Sequence, residues 1–317
     1  MIGDIKQLLI IPHIHVHNAN ALSSPFTIGF PAMTAWLGAV HAIQRKLNAQ
    51  DIAVRFNAVG VVSHAIDLHT YKGDNDFVHS IVATANPLDK TGARSAFIEE
   101  ARCRLEASLV IEFTDLGIDD HAHLLSSLTH LLNAGIKIAG GDIMQVAPPF
   151  VMVSKDGDDR DLRQLQRALM PGYVLIERRD LMVDAMKKGA DALEALIDYI
   201  AIHHHCNRDD DNNIVWHSHR KSIDDKPAGW IVPIATGFHA ISELGAAKNQ
   251  RDPDTPHRFA ESVVTLGEFI MPYRLHAIED LLWRYHVDNN LYLCQQRGQY
   301  STTYNTATTI NEAEFDD

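Results

Sequence analysis

Apolar and polar residues follow two different periods near the start of the chain, and each period predicts one element. Residues 7–17 begin apolar and then alternate apolar residues with His13, His15 and His17, which predicts a strand with one apolar and one polar face. Residues 31–48 repeat apolar residues every three to four positions, and they open with proline, which suits a first helical turn. The chain therefore begins with a long strand followed by an amphipathic helix.

The elements that follow indicate the fold class. Strands are predicted over 52–71, 76–85 and 100–113, a helix over 119–133, and a short strand over 136–139 that ends at two glycines. Because no helix separates the first three of these strands, antiparallel pairing is favoured over the alternative of a doubly wound sheet. The order is typical of a split β-α-β arrangement of the ferredoxin or RNA-recognition-motif (RRM) type.

The second half has a less regular pattern. We predict helices over 160–170 and 180–202, a polar loop over 203–213, a hairpin arm pairing 214–221 with 229–235, a loop over 248–256, strands over 259–270 and 290–296 around a helix near 275–286, and a polar tail from 298. The predicted fold is thus α+β, with an RRM/ferredoxin-like core, an inserted arm and a less regular C-terminal half. The predicted divisions are an RRM-like RNA-binding core over 1–155, an insertion with helices and hairpin arm over 156–256, and a C-terminal return to the core with the polar tail over 257–317.

Composition narrows the class of protein. The chain has 317 residues, enough for a full core, and no apolar run approaches the roughly 18 residues needed to span a bilayer. We expect no signal peptide, and the odd number of widely spaced cysteines suits reduced thiols. These features predict a cytoplasmic protein.

The charge is unevenly distributed along the chain. The net charge is -13, which argues against a nucleic-acid binder when taken alone. Residues 1–72 nevertheless carry a net charge of +2, and the remainder carries -15. Any nucleic-acid surface is therefore expected on the N-terminal part, whereas the acidic remainder suits a basic protein partner or solubility.

The loop between the first strand and the first helix is the main candidate binding segment. It reads NANALSSP, then TIGFPA, and combines small polar side chains with glycine. Amide groups and a helix N-terminus can hold phosphates and base edges of single-stranded RNA. On composition alone, an ordinary surface turn before a well-started helix is the favoured interpretation of this segment.

Two segments also carry a family resemblance. The run PHIHVHNANALSSPFTIGFPAMTAWLGAVHAIQRKL strongly resembles the N-terminus of the smaller tail subunit of the type I-F CRISPR surveillance (Csy) complex, a CRISPR family-five RAMP protein. The segment IKIAGGDI at 136–143 is similar to the glycine-rich segment of that family. The resemblance implies a basic residue after Pro12, where this chain has His13.

The resemblance implies a non-catalytic RNA-binding subunit with no cofactor. Its implied partners are the crRNA 5′ handle, the large subunit of the complex and the first backbone subunit that coats the spacer, the last through an added arm. By analogy with other RNA-guided systems, target DNA near the flanking motif is a further partner. The implied RNA-binding residues are Asn18, Asn20, Ser23, Ser24, Gly29, Phe30, Pro31, Ala32, Gly140 and Gly141.

Two alternatives remain open. The first is a metal-dependent hydrolase that uses His13, His15 and the crowded histidines of 203–219, since imidazole is a common zinc ligand. No defined zinc spacing, nucleophile elbow, P-loop or dinucleotide fingerprint accompanies these residues. The second is a purely structural interaction subunit, for which Trp216 and Trp230 on the predicted arm would supply an exposed aromatic surface.

Overall fold

The computed structural model describes residues 5–82, 88, 91–93, 100–155, 158–208, 212–223, 226–227, 229–248, 250 and 252–297. Up to residue 155 its elements are β1 (Ile5–Asn20), β2 (Leu22–Ser24), β3 (Thr27–Ile28), α1 (Met33–Asn48), β4 (Arg55–Leu68), β5 (Thr70–Tyr71), β6 (Ser80–Ile81), β7 (Arg102–Thr114), α2 (His121–Asn133), β8 (Lys137–Ile138), β9 (Gly141–Gln145) and β10 (Phe150–Lys155). After residue 155 they are α3 (Asp159–Ala168), β11 (Tyr173–Glu177), α4 (Arg179–Lys187), α5 (Ala192–Ile200), β12 (His203–Arg208), β13 (Ile214–His219), β14 (Ser222–Ile223), β15 (Lys226–Pro227), β16 (Trp230–Ala240), β17 (Ala260–Ile270), β18 (Trp283–Asp288) and β19 (Leu291–Gln296). Short 3-10 turns lie at Ile118–Asp120, Pro272–Arg274 and Ile278–Leu281. No helix in the described part of the chain is both long and apolar enough to cross a membrane.

The elements with a clear apolar period form where the sequence predicts them. α1 buries one side, which includes Trp36, Val40 and Ile43, and β1 covers the whole alternating segment. The strand predicted over 100–113 and the helix predicted over 119–133 are confirmed as β7 and α2. In each case the period of the apolar residues matches the face that is buried, and this match makes the prediction reliable.

The histidine-rich segment is a strand, so the prediction of a polar loop over 203–213 is wrong. β12 pairs antiparallel with β13, so the predicted pairing of 214–221 with 229–235 is wrong as well. β16 instead joins the main sheet between β17 and β19. Most side chains of β12 and β13 are exposed, and a strand with two polar faces shows no alternation that would reveal it.

The helix predicted near 275–286 is also wrong, because this segment contains a 3-10 turn followed by β18. Ile278 and Leu281 are buried and recur at a helical spacing. A 3-10 turn places residues three apart above one another, so a short turn gives the same pattern as a helix. Trp283 then begins β18, which pairs with β4.

Two further boundaries differ from the prediction. Among the described residues of 76–85, only Ser80–Ile81 is strand. The helix predicted over 180–202 is divided into α4 and α5. Gly189 follows α4 with a φ of 103°, a left-handed conformation that commonly ends helices. Asp191 then forms a capping box that starts α5.

An eleven-stranded sheet organises the described residues. Its order is β11-β17-β16-β19-β18-β4-β7-β1-β9-β8, with β10 also paired to β1 and β11 also paired to β4. The pairs in this sheet are antiparallel, as predicted for the strands of the first half. The coarse prediction of a strand-rich protein that mixes helices with an antiparallel sheet is therefore confirmed.

The sheet has a different cover on each face. Alternate residues of β1 point to opposite faces, and Leu9 and Ile11 pack in a core with α1 and α2. Leu8 and Ile10 pack in a second core with α3. The helices α1 and α3 therefore lie on opposite sides of the same strand.

Strands from all three predicted divisions enter this one sheet. β11 and β16 come from 156–256, and β17, β18 and β19 come from 257–317. The division into core, insertion and C-terminal return stays a prediction.

Glu177, at the end of β11, is a buried carboxylate with a perturbed acidity. It is 1% exposed, accepts a hydrogen bond from the backbone N–H of Gln296 at 3.1 Å, and lies 3.3 Å from Arg179 Nη2. Burial raises the pKa of Glu177 to about 7, although Arg179 and the Gln296 hydrogen bond oppose the shift. The folded protein therefore retains a proton that the unfolded chain loses near its ordinary pKa of 4.5.

This retained proton predicts a stability that falls as pH rises from about 4.5 to about 7, because there the folded state binds more protons than the unfolded state. Replacing Glu177 with glutamine removes this titrating group, so the free energy of unfolding should depend less on pH over this range. Urea unfolding of both proteins at about pH 5 and about pH 8 checks this. The variant should gain stability relative to the parent at the higher pH; an equal difference at both pH values would contradict the raised pKa.

Candidate nucleic-acid interface

A surface groove of about 590 Å³ lies between the loop after β1, the start of α1 and the turn between β8 and β9. The predicted RNA-binding residues that line it are Asn20, Ser23, Pro31, Ala32 and Gly140. The predicted residues that do not line it are Asn18, Ser24, Gly29, Phe30 and Gly141. The groove also contains residues that the sequence did not indicate: Leu22, Ala35, Gly38, Ala39, Ala42, Glu100, Arg102, Lys137 and Ala139.

The loop that forms one wall is held by backbone and side-chain hydrogen bonds. The Asn20 N–H donates to the Ala139 carbonyl at 2.8 Å, and the Ala21 N–H donates to the Ala101 carbonyl at 2.9 Å. The Asn20 side-chain amide bonds the backbone of Leu22 twice, at 3.0 and 3.1 Å. The amide of Asn20 therefore shapes the turn, in the manner usual for asparagine in loops.

The two serines of the loop have different environments. Ser24 is 4% exposed, and its hydroxyl lies 2.7 Å from the Thr27 hydroxyl and accepts from the Phe26 N–H at 3.1 Å. Ser23 also contacts Thr27, at 2.9 Å, but it lines the groove. The network immobilises the turn between β2 and β3 and leaves the Phe26 side chain 87% exposed at its tip.

Phe30 is a core residue and does not face the groove. It is 7% exposed, and its ring stacks on Trp36 at 5.4 Å and meets Phe269 edge-on at 5.3 Å. Pro31 and Ala32 come next and line the groove immediately before α1. The packing of Phe30 in the core therefore holds in place the segment that leads into α1.

The N-terminus of α1 opens on the groove without a cap from its own side chains. Ala32 occupies the N-cap position, and its side chain supplies no hydrogen-bond acceptor, although its carbonyl accepts from the Ala35 N–H at 2.9 Å. The first turn contains no acidic residue. The unpaired N–H groups and the helix dipole at such an end favour an anion. This end of the groove is therefore suited to a phosphate group.

The two glycines of the 136–143 segment have separate roles. Gly140 has a φ of 74° and is exposed in the groove. Gly141 is buried, and a Cβ there would lie 2.7 Å from both Val16 Cγ1 and the His17 carbonyl oxygen. Gly141 therefore permits β9 to approach β1 closely, whereas Gly140 leaves the groove open.

Two cations line the groove, and each is already paired with a carboxylate. Arg102 Nη2 lies 2.5 Å from Glu100, and Lys137 Nζ lies 2.5 Å from Asp142. The Lys137–Asp142 pair is exposed, and such pairs contribute only about 0–1 kcal/mol, so a ligand phosphate can compete for the lysine. The Arg102–Glu100 pair is partly buried, with the Arg102 side chain 22% exposed. Arg102 Nε is also buried without a hydrogen-bond partner among the described residues.

Asn18 lies outside the groove on the exposed surface of β1. Its φ is 59°, and it sits where the pairing of β1 with β7 shifts register between Val16 and Ala19. Asparagine tolerates this left-handed conformation better than most residues. The left-handed backbone conformation at this position explains the occurrence of asparagine without a contact to a ligand.

The first histidine group forms a partly buried polar cluster on the neighbouring strands β1, β4 and β7. His13 Nδ1 lies 2.6 Å from Glu106 Oε1, and the His13 backbone N–H donates to the Ser108 hydroxyl at 3.0 Å. The His13 ring stacks on His64 with the ring centroids 4.3 Å apart. Burial works against ionisation of Glu106, but the His13 hydrogen bond and the nearby histidine charges outweigh it and lower the pKa of Glu106. Burial also disfavours the charged form of His64, and for a histidine this lowers the pKa.

The second histidine group lies on the hairpin of β12 and β13. The rings of His205 and His219 stack at 4.9 Å and 14°, and His203 lies 5.6 Å from His219 on the same face. Stacked parallel rings do not direct their nitrogens to a common point. In the part of the chain that the structure describes, no group of three or more histidine, cysteine, aspartate or glutamate side chains is arranged to hold a metal ion.

Comparison with known proteins gives the class and then the family. Residues 9–294 match the family model described as CRISPR-associated protein (Cas_Csy2). The chain is also 32% identical over 319 residues to the CRISPR-associated protein Csy2 of Pseudomonas aeruginosa (strain UCBPP-PA14), an alignment that covers 92% of this chain and 95% of that protein. The protein is thus CRISPR-associated, and within that class it belongs to the Csy2 family.

The family confirms the coarse part of the sequence prediction, a subunit of a type I-F CRISPR Csy complex. The descriptions as the smaller tail subunit and as a family-five RAMP protein stay predictions, as do the RNA-binding residues.

Proposed function

We propose that this protein is a non-catalytic subunit of the type I-F CRISPR (Csy/Cascade) RNA-guided surveillance complex, and that it binds the crRNA 5′ handle in the groove. The observation that carries the proposal is the meeting, in one groove, of the uncapped α1 N-terminus with Arg102 and Lys137. Bridging of the large subunit to the backbone subunits in antiviral defence is part of the same proposal.

The groove offers the groups that a single-stranded nucleic acid requires. The helix end and the two cations are suited to phosphates. Gly140 and Gly38 are exposed and have no side chain, and the side chain of Ala35 is short. These three positions leave room for sugars and bases to approach the backbone. Sequence-specific recognition of single-stranded RNA uses splayed bases held in this way.

The order of the first strands supports an RRM/ferredoxin-like core. In chain order the elements are β1, α1, β4, β7, α2 and β9, and across the sheet the strands run β9-β1-β7-β4. This order is the one expected for the split β-α-β arrangement of that fold. RNA binding at the N-terminal part also agrees with the charge distribution, because residues 1–72 are net positive in an acidic chain.

The hairpin of β12 and β13 is the arm that we propose for the neighbouring backbone subunit. Isolated two-stranded hairpins are marginally stable in water, and this one exposes most of both faces. Trp216 is 65% exposed on it, and tryptophan is enriched at the energetic centres of protein interfaces. Trp230, in contrast, lies in the main sheet beside Tyr173 and Phe269.

Co-purification tests the proposal. The tagged chain is expressed with the products of its neighbouring genes, and the RNA that accompanies it is sequenced. Short RNAs with a constant 5′ segment, together with a large subunit and a backbone subunit, are expected. A chain that carries no RNA but holds stoichiometric zinc would refute the proposal and support a metal-dependent hydrolase.

A matched pair of substitutions at Gly38 tests the groove itself. Gly38 is exposed on α1 in the groove, and nothing lies within 4 Å of a Cβ built there, so a larger side chain fits without strain. Gly38→Glu introduces a negative charge facing the ligand, whereas Gly38→Gln adds nearly the same volume without charge. We expect the glutamate variant to bind the handle about tenfold more weakly than the glutamine variant, equivalent to about 1.4 kcal/mol.

Filter binding of a synthetic handle RNA to the reconstituted complex measures this difference. Both substitutions replace a helical glycine with a better helix former, so each should stabilise α1 by about 0.5–1 kcal/mol. Equal affinity of the two variants would argue against a phosphate near α1 and would move the handle elsewhere.

A further inference from the structure

The exposed side of α3 carries a stripe of arginines. Arg160, Arg163 and Arg167 project from it with Gln164, and these four residues alone line a surface depression of about 470 Å³. The opposite side of α3 is apolar, and its Leu165 packs in the core with Leu8 and Ile10 of β1. We call the three arginines and Gln164 the arginine stripe.

Three acidic residues lie at the start of α3, Asp158, Asp159 and Asp161, and two of them accept hydrogen bonds from backbone N–H groups. Asp158 Oδ1 accepts a hydrogen bond from the Arg160 N–H at 2.8 Å and so caps α3. Asp161 Oδ2 accepts from the Lys155 N–H at 3.0 Å. Arg160 is 86% exposed and lies 3.7 Å from Asp158, a loose pair that an external anion can replace.

The other two arginines of the stripe have no ion-pair partner within the described residues. No described carboxylate oxygen lies within 4.0 Å of Arg163 or Arg167. Three guanidinium groups therefore line one depression on a chain with a net charge of -13. Arg163 and Arg167 lie one and two turns beyond the acidic start of α3, where they can attract a polyanion.

We infer that the arginine stripe binds the sugar–phosphate backbone of double-stranded DNA. Arg160 and Arg167 are seven residues apart, which corresponds to about 10.5 Å along the helix axis. One strand of B-DNA presents a phosphate about every 3.4 Å of its axis, so the stripe spans about three phosphates. Guanidinium groups match phosphate oxygens in geometry as well as charge.

The side chains of the stripe itself favour a duplex over single-stranded RNA. The stripe contains no aromatic side chain on which a free base could stack, and such stacking is a principal means of binding single strands. Backbone contact with a duplex requires only regularly placed cations.

The stripe is also separate from the handle groove. Ala35 and Gly38 of α1 line the groove, and α1 and α3 cover opposite faces of the sheet. Guide RNA and target duplex can therefore contact the protein at the same time. The inference rests on the proposed function in one respect, since a surveillance complex is what brings a target duplex to this chain.

The test uses the purified full chain and the reconstituted complex. Arg160→Gln, Arg163→Gln and Arg167→Gln are combined, and the same positions changed to lysine provide a variant of equal charge. Glutamine is a helix former comparable to arginine, so the fold should be retained. Lys187→Gln with Lys188→Gln, at the C-terminal end of α4 and directly after it, is a control for the loss of exposed positive charge elsewhere.

Binding to a fluorescent DNA duplex is titrated at several salt concentrations. The glutamine variant should bind at least about tenfold more weakly at low salt, and its slope of log K against log salt should fall by about 2–3, since each lost phosphate contact contributes about 0.9. The α4 control should stay close to the parent. The lysine variant keeps the charge but loses the guanidinium fork, so its affinity should fall between the parent and the glutamine variant, with a salt slope close to that of the parent. Handle RNA content should be unchanged in all of them.

Each other outcome contradicts the inference. An unchanged duplex affinity and salt slope in the glutamine variant excludes DNA contact by the stripe. A loss of RNA from the complex instead assigns the stripe to the guide, and a loss of a protein subunit assigns it to an acidic protein surface. If the proposed function itself is wrong, the complex of the parent protein will contain no RNA. The duplex titration of the full chain still decides the role of the stripe in that case.

Discussion

Replacing Trp36 with alanine is expected to lower the free energy of unfolding by about 3–5 kcal/mol, the range usual for deleting a large buried aromatic side chain. Trp36 is 0% exposed in the core between α1 and the sheet, and its ring stacks on Phe30. A typical domain has only about 5–15 kcal/mol of total stability, so this single change removes a large part of it. Urea unfolding followed by far-UV circular dichroism measures the loss.

A pair of phenylalanine variants separates packing from hydrogen bonding. Trp36 Nε1 has no hydrogen-bond partner among the described residues, whereas Trp283 Nε1 donates to the Leu175 carbonyl at 3.1 Å. In Trp283→Phe that carbonyl loses the indole hydrogen bond and keeps the longer bond of 3.4 Å from the Gln296 side chain. Trp36→Phe should therefore cost about 1 kcal/mol less than Trp283→Phe. Equal costs would mean that the indole nitrogen of Trp36 is satisfied in solution.

The same core connects stability to the proposed site. Phe30 packs on Trp36 and also on Phe269, which brings β17 against the start of α1. Pro31 and Ala32 follow directly and line the groove. A loss of Trp36 is therefore expected to loosen the helix N-terminus as well as the core, and RNA binding should be compared only between variants that remain folded.

The sequence located the elements whose apolar period matches a buried face. α1, α2, β1 and β7 are of this kind, and their types and approximate bounds followed from pattern alone. It failed where tertiary contacts give a misleading pattern or none. β12 exposes most of its length, and the turn at Ile278–Leu281 has the spacing of a helix without its length.

The candidate site was predicted in part, because residue type does not reveal the direction of a side chain. Ser24 and Phe30 belong to a segment that looks like a ligand loop, but Ser24 bonds within its turn and Phe30 fills the core. Gly141 likewise serves close packing of two strands. Arg102 was missed, since it lies far along the chain from the loop after β1 and only the fold brings it to the groove. Lys137 was missed although it belongs to the glycine-rich segment 136–143 that the sequence analysis singled out.

Reversing the charge of Arg102 should have the largest effect on RNA binding. Arg102→Glu removes a guanidinium from the groove and adds a carboxylate beside Glu100, its present partner at 2.5 Å. A hydrogen bond to a charged group contributes about 1.5–3 kcal/mol, and the new repulsion adds to its loss. We expect handle affinity to fall by a factor on the order of a hundred, about 2.7 kcal/mol.

Two companion variants show whether this loss arises from charge in the groove. Arg102→Lys keeps the charge but loses the planar fork, so it should retain more of the affinity than the glutamate variant. Arg104→Glu makes the same charge change two residues along β7, at an exposed position that does not line the groove. If Arg104→Glu weakens handle binding as much as Arg102→Glu, the effect is one of net charge, and the groove is not the binding site. If only Arg102→Glu does so, a phosphate of the handle lies at the end of the groove where Arg102 meets Gly140.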